Sequence, residues 1–111
     1  MSIAGLLDGG WKEAEFVPFR PGVEISRLAG DPAGASVALL RYAPGASVPM
    51  HEHTGLETIV VLDGAQSDDR GRYAAGAIAI NPAGTRHRVW SDEGCVVLIQ
   101  WERPVRILDN E

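Results

Sequence analysis

The stretch Gly45-Ala46-Ser47-Val48-Pro49-Met50-His51-Glu52-His53-Thr54-Gly55-Leu56-Glu57 decides how this chain folds. It contains two of the three histidines in the sequence, and the third, His87, follows beyond a turn. Alternate residues of a β-strand point to the same face, so His51 and His53 share a face and Glu57 has the same parity. Three imidazole nitrogens and one carboxylate oxygen are sufficient ligands for a metal ion. The sequence therefore predicts a metal site made of His51, His53, Glu57 and His87.

Two regular spacings of glycine, proline and ligand residues strengthen this prediction. The first, G-x5-H-x-H-x3-E-x6-G, begins at Gly45 and ends at Gly64. The second, G-x5-P-x-G-x2-H-x3-N, is met by Gly76, Pro82, Gly84 and His87, with Ser91 in the place of the asparagine. Together they resemble the two motifs of the cupin superfamily over about residues 20–101. The resemblance implies a small antiparallel β-barrel of the RmlC-like jelly-roll type, the double-stranded β-helix, with a metal inside.

The remainder of the chain independently indicates an all-β fold. Short apolar or alternating segments are separated by Gly, Pro and Asp, which is typical of a β-sandwich or barrel. The predicted strands are 23–28, 36–42, 56–62, 77–80, 86–90 and 95–101, and residues 66–71 are predicted to form a polar turn. A chain of 111 residues is long enough for one core. We expect an N-terminal extension, residues 1–19, to pack as a short helix or strand on a cupin barrel of residues 20–111, with 3–11 as the candidate helix.

Composition excludes several classes of function. The formal net charge is −5 and the ten basic residues are scattered, so nucleic-acid binding is not expected. Cys95 is the sole cysteine, which excludes an internal disulfide and a cysteine-rich zinc module. No apolar run approaches the roughly 18 residues of a membrane span, and no leader peptide is apparent. We therefore expect a protein that acts in the cytoplasm and not in a membrane.

The ligand types leave the identity of the metal open. Imidazole and carboxylate suit several divalent transition metals, of which zinc and iron lead and nickel, manganese, cobalt and copper remain candidates. Four protein ligands in a tetrahedron would favour a structural or sensory zinc. The same four in an octahedron would leave two positions for water, substrate or dioxygen.

Within the superfamily, three segments are similar to the cupin domain of ChrR-type anti-sigma factors. They are 40–46, 49–55 and 69–76. The subfamily usually has Gly-Gly-Glu-Glu before its carboxylate ligand, whereas this chain has Thr54-Gly55-Leu56-Glu57. The residues before Arg20 also lack the His and Cys ligands of the helical domain through which such factors bind a sigma factor. We therefore expect a barrel that stands alone and not a complete anti-sigma factor.

Two classes of function remain open. In the first, the metal site activates a small dicarbonyl, thiol or aromatic substrate, or dioxygen, as dioxygenases of similar fold do. Ile59, Val61, Val89 and either Trp90 or Trp101 would then shape the pocket. In the second, the protein is a non-catalytic, metal-dependent sensor or binding module. The polar strand residues Arg41, Tyr42 and Gln100 could supply an additional group to the cavity, but we expect them to face outward.

The resemblance also implies a homodimer, because small cupins commonly pair through their edge strands. An exposed strand around residues 16–19 could cover a neighbouring copy. Alternatively, Trp11, Phe16 and Phe19 pack as a cap on the outer wall of their own barrel. The sequence does not separate these two arrangements.

Overall fold

A computed structural model describes residues 1–108, and β-strands are its main secondary structure. The ten strands of this part of the chain are β1 (Val17–Arg20), β2 (Val23–Gly30), β3 (Ser36–Tyr42), β4 (Ser47–Glu52), β5 (Glu57–Asp68), β6 (Gly71–Ala74), β7 (Ile78–Asn81), β8 (Arg86–Trp90), β9 (Cys95–Trp101) and β10 (Arg106–Ile107). The strand pairs are antiparallel. The predicted all-β fold is confirmed, and β3, β8 and β9 have the predicted bounds.

The long strand β5 connects the two halves of the barrel. Its first part pairs with β7 and β9, and its second part pairs with β6 and β8. One curled sheet therefore contains β1, β2, β3, β9, β5 and β7, and the other contains β10, β4, β8, β5 and β6. Gly64 lies in the irregular part of β5 with φ +70°. A Cβ there would lie 2.1 Å from the carbonyl oxygen of Gly94, so only glycine allows this close approach of β5 and β9.

The sheets enclose an apolar core because alternate residues of the strands point inward. This core consists of Val23, Ile25, Ala38, Leu40, Tyr42, Val48, Ile59, Val61, Val89, Cys95, Val97, Ile99 and Trp101. Ile59 and Val61 follow Glu57 on its own face, as their parity predicts. The inner face of β5 therefore changes from a carboxylate to an aliphatic wall within one strand.

The N-terminal segment covers the outer face of the first sheet. Residues 3–11 were the one candidate for a short helix, and the structure has two 3₁₀ turns there, at Leu6–Asp8 and Gly10–Glu13. Gly9 separates them with φ +89°, a left-handed conformation that ends regular helix. Trp11 and Phe16 pack against Leu39, Leu62 and Val96, which would otherwise expose an apolar surface. The described residues contain no helix of the length and apolarity required to cross a membrane.

The prediction of a polar turn over residues 66–71 was wrong at its beginning. β5 continues to Asp68, and the turn to β6 follows it. Gln66 and Asp68 are buried, with exposed fractions of 3% and 7%. Their polar side chains face the interior beside other polar groups, so their polarity does not indicate a solvated turn.

Candidate metal centre

His51 and His87 meet because their strands are paired. His51 on β4 is directly opposite His87 on β8, and opposed residues of an antiparallel pair project from the same face. Their ring centroids are 4.7 Å apart, and both side chains are buried. The register of β4 and β8 therefore brings these two histidines, which are far apart in sequence, into contact.

His53 joins them from just beyond the end of β4. Its backbone N–H donates to the Thr85 carbonyl at 2.9 Å, and the Gly84 N–H donates to the His53 carbonyl at 2.7 Å. These two bonds attach the histidine to the turn that precedes β8. The His53 ring centroid lies 5.2 Å from that of His51 and 4.6 Å from that of His87. One ring nitrogen from each histidine can be chosen so that the three lie within 4.8 Å of one another.

The Nδ1 atom of each ring already has a hydrogen-bond partner. The partners are the Pro49 carbonyl for His51 at 2.9 Å, the Thr85 carbonyl and hydroxyl for His53 at 3.0 and 2.9 Å, and Asp68 Oδ2 for His87 at 3.1 Å. Carbonyl and carboxylate oxygens accept, so each Nδ1 carries the proton and each Nε2 presents a lone pair. This is how metal-ligating histidines are usually held.

The Nε2 atoms, unlike the Nδ1 atoms, are not all satisfied by hydrogen bonds. Those of His53 and His87 are buried and have no hydrogen-bond partner among residues 1–108. Buried polar atoms without a partner are rare because they forfeit the hydrogen bond that they made to water. A metal ion between the rings would satisfy both. The residues present therefore fit a divalent transition metal, to which neutral imidazole is a good ligand.

Glu57 lies at the edge of the histidine cluster and is fixed by two donors. Asn81 Nδ2 donates to Oε1 at 3.0 Å, and Trp101 Nε1 donates to Oε2 at 2.9 Å. Oε1 also lies 3.1 Å from His53 Nε2, without the alignment of a hydrogen bond. Asn81 and Trp101 are the register partners of Glu57 on β7 and β9. The carboxylate is thus held beside the nitrogen atoms by both neighbouring strands.

Burial sets the protonation states that metal binding requires. It lowers the pKa of His51 to about 4, despite the opposing hydrogen bond to Pro49. Burial also lowers the pKa of His87, against the opposing effect of Asp68. For Glu57 burial would raise the pKa, but the imidazoles beside it outweigh that effect and lower the pKa below its usual range. Near neutral pH His51 and His87 thus offer unprotonated nitrogens, and Glu57 offers an ionised carboxylate.

An interior cavity of about 170 Å³ opens beside this cluster. His51, His87 and Glu57 form part of its wall. The apolar lining includes Phe19, Leu40, Val48, Ile59, Val89, Ile99 and Trp101. Of the two tryptophans proposed for this wall, Trp101 is the one that lines it. A small molecule in the cavity would contact the histidines at one end and apolar side chains along the walls.

Tyr42 faces the interior, so the prediction that it faces outward was wrong. It is buried, lines the cavity and accompanies Gln66 on the same wall. Burial raises the pKa of the Tyr42 phenol well above its usual range, so the hydroxyl stays protonated. Arg41, by contrast, faces outward as expected and pairs with Glu24 at 2.8 Å.

Sequence spacing found the four candidate ligands but missed the residues that orient them. Asp68, Thr85 and Asn81 hold His87, His53 and Glu57. Asn81 directly precedes the proline of the second motif, and Thr85 follows its glycine, so both were recognisable as neighbours of a turn. Asp68 gave no such signal, because an irregularity within β5 changes the parity of the residues after it.

Comparison with known proteins assigns this arrangement to a family. Residues 10–104 match the description of the ChrR cupin-like domain. The chain belongs to that family. It is also 37% identical over 76 residues to the anti-sigma-E factor ChrR of Cereibacter sphaeroides, covering 66% of this chain and 36% of that protein. The ChrR cupin-like chain described here thus matches about a third of the length of its curated relative.

Two solved structures place the ChrR cupin-like chain within the wider superfamily. An RmlC-like cupin protein from Ralstonia eutropha JMP134 is 26% identical with a TM-score of 0.78, over 96% of this chain and 73% of the other. An acetylacetone dioxygenase from Acinetobacter johnsonii is 18% identical with a TM-score of 0.77, over 86% and 72%. The second likeness shows the shared fold alone. The predicted cupin fold and ChrR-type resemblance are confirmed.

Proposed function

We propose that this protein binds one divalent transition metal through His51, His53, His87 and Glu57 and acts through it on a small molecule. The observation that carries the proposal is the state of the histidine rings. Each Nδ1 is occupied by an acceptor, and two Nε2 atoms are buried without a hydrogen-bond partner within residues 1–108. Zinc and iron are the leading metals, and nickel, manganese and copper are the other candidates.

The first candidate activity is that of a dioxygenase-type oxidoreductase. A bound metal would supply a Lewis acid or a redox centre. The chain itself would bind a small substrate in the cavity. The aliphatic walls would exclude water there, and the histidines would face the reacting group of the substrate. Asp68 and Thr85 would hold the protons of His87 and His53 at Nδ1 and so keep both rings in position. The fold shared with an acetylacetone dioxygenase supports this candidate at the level of architecture.

The second candidate is a metal-dependent sensor or binding module without catalysis. Membership of the ChrR cupin-like family favours it, since a curated relative is an anti-sigma factor. In this candidate the metal stabilises the barrel, and a ligand or an oxidant that reaches the cavity changes the surface of the protein.

Metal content tests the proposal and separates the candidates. Protein purified without a metal-affinity tag would be analysed for transition metals, beside a His51→Ala/His87→Ala double variant. We expect about one metal per chain in the wild type and none above background in the variant. Iron, nickel or manganese would direct the next assay to oxygen uptake with small dicarbonyl, thiol and aromatic compounds, whereas zinc would favour the sensor. Wild type without metal would overturn the proposal.

A homodimer in the cytoplasm is a further part of this proposal. β1 lies at the end of the strand order, and its residue Val17 is 56% exposed. An edge strand with an exposed aliphatic side chain is suited to pairing with a second copy. Sedimentation velocity should then give about twice the chain mass of 11.9 kDa. Val17→Lys should shift the protein toward the monomer, whereas Leu7→Lys, at an exposed position on the N-terminal segment, should not. A wild-type monomer at high concentration would contradict the dimer.

A further inference from the structure

The charges that line the cavity differ in sign from the charge of the whole chain. The chain has 15 acidic and 10 basic residues, but the cavity wall contains two arginines, Arg20 and Arg27, and a single carboxylate, Glu57. Glu57 is already engaged by Asn81 and Trp101. A cleft lined by one sign of charge attracts ligands of the other sign. The cavity is therefore electropositive within an acidic protein.

The two arginines reach the cavity because of their positions in the sheet. Arg20 on β1 is opposite Val23, and Arg27 on β2 is opposite Ala38. Val23 and Ala38 belong to the inner core, and opposed residues share a face of the sheet. Both arginines thus lie on the inner face of the sheet at the open end of the barrel, where Arg20 is half-buried and Arg27 remains exposed to solvent.

Both guanidinium groups are arranged around one aromatic ring. The Cζ atoms of Arg20 and Arg27 lie 4.9 and 5.8 Å from the ring centroid of Phe19. The Phe19 ring lies 6.3 Å from that of Trp101, which donates to Glu57. Two aromatic rings therefore separate the arginines from the metal-binding end. A guanidinium group stacked on a ring keeps the N–H groups at its edge available for a planar anion.

Neither arginine has a carboxylate within ion-pair distance among residues 1–108. Three arginines on the outer surface, by comparison, are paired with carboxylates, as Arg41–Glu24, Arg72–Glu93 and Arg106–Glu52. The guanidinium groups of Arg20 and Arg27 are therefore available to an anion that comes from outside the chain. Arginine pairs with carboxylates through two parallel hydrogen bonds.

We propose that the cavity binds a small organic monocarboxylate, with its carboxylate at Arg20 and Arg27 and its apolar body against the aliphatic and aromatic walls. This inference rests on the proposed function, because it takes the histidine end of the cavity as the reacting end. The size of the cavity sets the size of the body. At about 170 Å³ it resembles cavities of about 150 Å³ that accept benzene, so the body is about one ring or five to six carbons.

The test compares a carboxylate with a neutral molecule of the same shape. Calorimetric titration of zinc-loaded protein with benzoate and with benzamide should give about tenfold tighter binding of benzoate, as a charge-assisted pair supplies. Arg20→Gln/Arg27→Gln should lose about this factor for benzoate and leave benzamide within about twofold. Arg20→Lys/Arg27→Lys should keep part of the preference, because it keeps the charge but not the planar fork.

The matched control is Arg41→Gln, which removes an arginine of the same sheet from its outer face and should change neither affinity. Metal content and far-ultraviolet circular dichroism equal to those of the wild type would show that each variant is folded. A preference for benzoate that persists in Arg20→Gln/Arg27→Gln would overturn this inference, because the carboxylate would then bind elsewhere, including at the metal. Equal affinity of the wild type for benzoate and benzamide would also overturn it. Absence of stoichiometric metal from the wild type would instead overturn the proposed function.

Discussion

The outer nitrogen of each histidine ring determines what the inner nitrogen can do. A carbonyl, a hydroxyl with a carbonyl, and a carboxylate fix the three Nδ1 protons. The partner of His87 differs from the others because Asp68 is ionisable. A carboxylate that accepts from an imidazole makes that imidazole a stronger ligand and holds its plane.

Asp68→Asn should therefore weaken metal binding at His87. The amide oxygen can still accept from Nδ1, but it lacks the charge that makes Nε2 more basic. We expect metal affinity to fall by about tenfold to a hundredfold, measured by competition with a chromophoric chelator. Asp69→Asn, which alters the adjacent and exposed carboxylate, is the matched control and should change affinity by less than about twofold. Equal affinity of Asp68→Asn and the wild type would show that Asp68 does not tune the site.

Cys95 should be a poor nucleophile in the folded protein. Burial, followed by the nearby charges of Asp63 and Glu93, raises its pKa to about 11, against the opposing hydrogen bond of Ser91. At pH 8 about one thiol in a thousand is then ionised, compared with about one in four at a pKa of 8.5. Alkylation by iodoacetamide, followed by mass spectrometry, should be at least about a hundredfold slower in native protein than in urea-unfolded protein. Comparable rates would contradict a buried, protonated thiol.

At the scale of elements, the sequence predicted where several strands lie, but it did not predict every point at which one strand ends and the next begins. Gly, Pro and Asp mark the ends of β3, β8 and β9, so these bounds were predictable. The connection between β4 and β5 was not, because strand parity treats His51 to Glu57 as one regular run. The structure ends β4 at Glu52, and His53 is instead placed by the turn before β8. Parity thus predicted that these side chains lie close together, but tertiary contacts, and not one continuous strand, bring the three histidines together.

The N-terminal segment is the element whose role the sequence left open. In the structure it covers the outer face of β3, β5 and β9, where Trp11 packs against Leu39, Leu62 and Val96. This supports the predicted outer cap for Trp11 and Phe16 and leaves the predicted dimer to β1. The prediction was wrong for Phe19, which packs against the inner core and lines the cavity.

Trp11→Ala should destabilise the protein by exposing that covered face. Trp11 is partly buried, so we expect a loss of about 2 kcal/mol in the free energy of unfolding, less than for a fully buried tryptophan. Urea denaturation measures this change. Leu7→Ala, at a side chain that is 67% exposed in the same segment, should stay within about 0.5 kcal/mol. Equal stability of both variants would show that the segment contributes no packing energy.

At the scale of the whole molecule, the candidate ligands connect the two sheets. His51 and His87 come from β4 and β8 of one sheet, whereas Glu57 is held by β7 and β9 of the other. A metal at this point would bind the folded state more tightly than the unfolded chain, in which His87 is not held beside His51, His53 and Glu57. Binding of this kind raises stability with ligand concentration.

Removal of the metal by a chelator should therefore lower the melting temperature. At a free metal concentration about a hundred times Kd, binding contributes about 2.7 kcal/mol. For a domain of this size we expect a decrease of about 10 °C or more, measured by differential scanning calorimetry before and after chelation and after metal is restored. His53→Ala should melt at the same temperature with and without chelator. A wild type with an unchanged melting temperature would contradict metal binding in the folded barrel.

The position of β9 between β3 and β5 affects how the protein folds during its synthesis on the ribosome. β9 is Cys95–Trp101, so β3 and β5 acquire their shared neighbour only after β1 to β8 have been made. Until then both strands present unpaired backbone edges, which are sites of aggregation. Trp101, the last residue of β9, also donates to Glu57. The nascent chain thus carries all four candidate ligands before Trp101, which orients one of them, and we expect metal loading to follow the synthesis of β9.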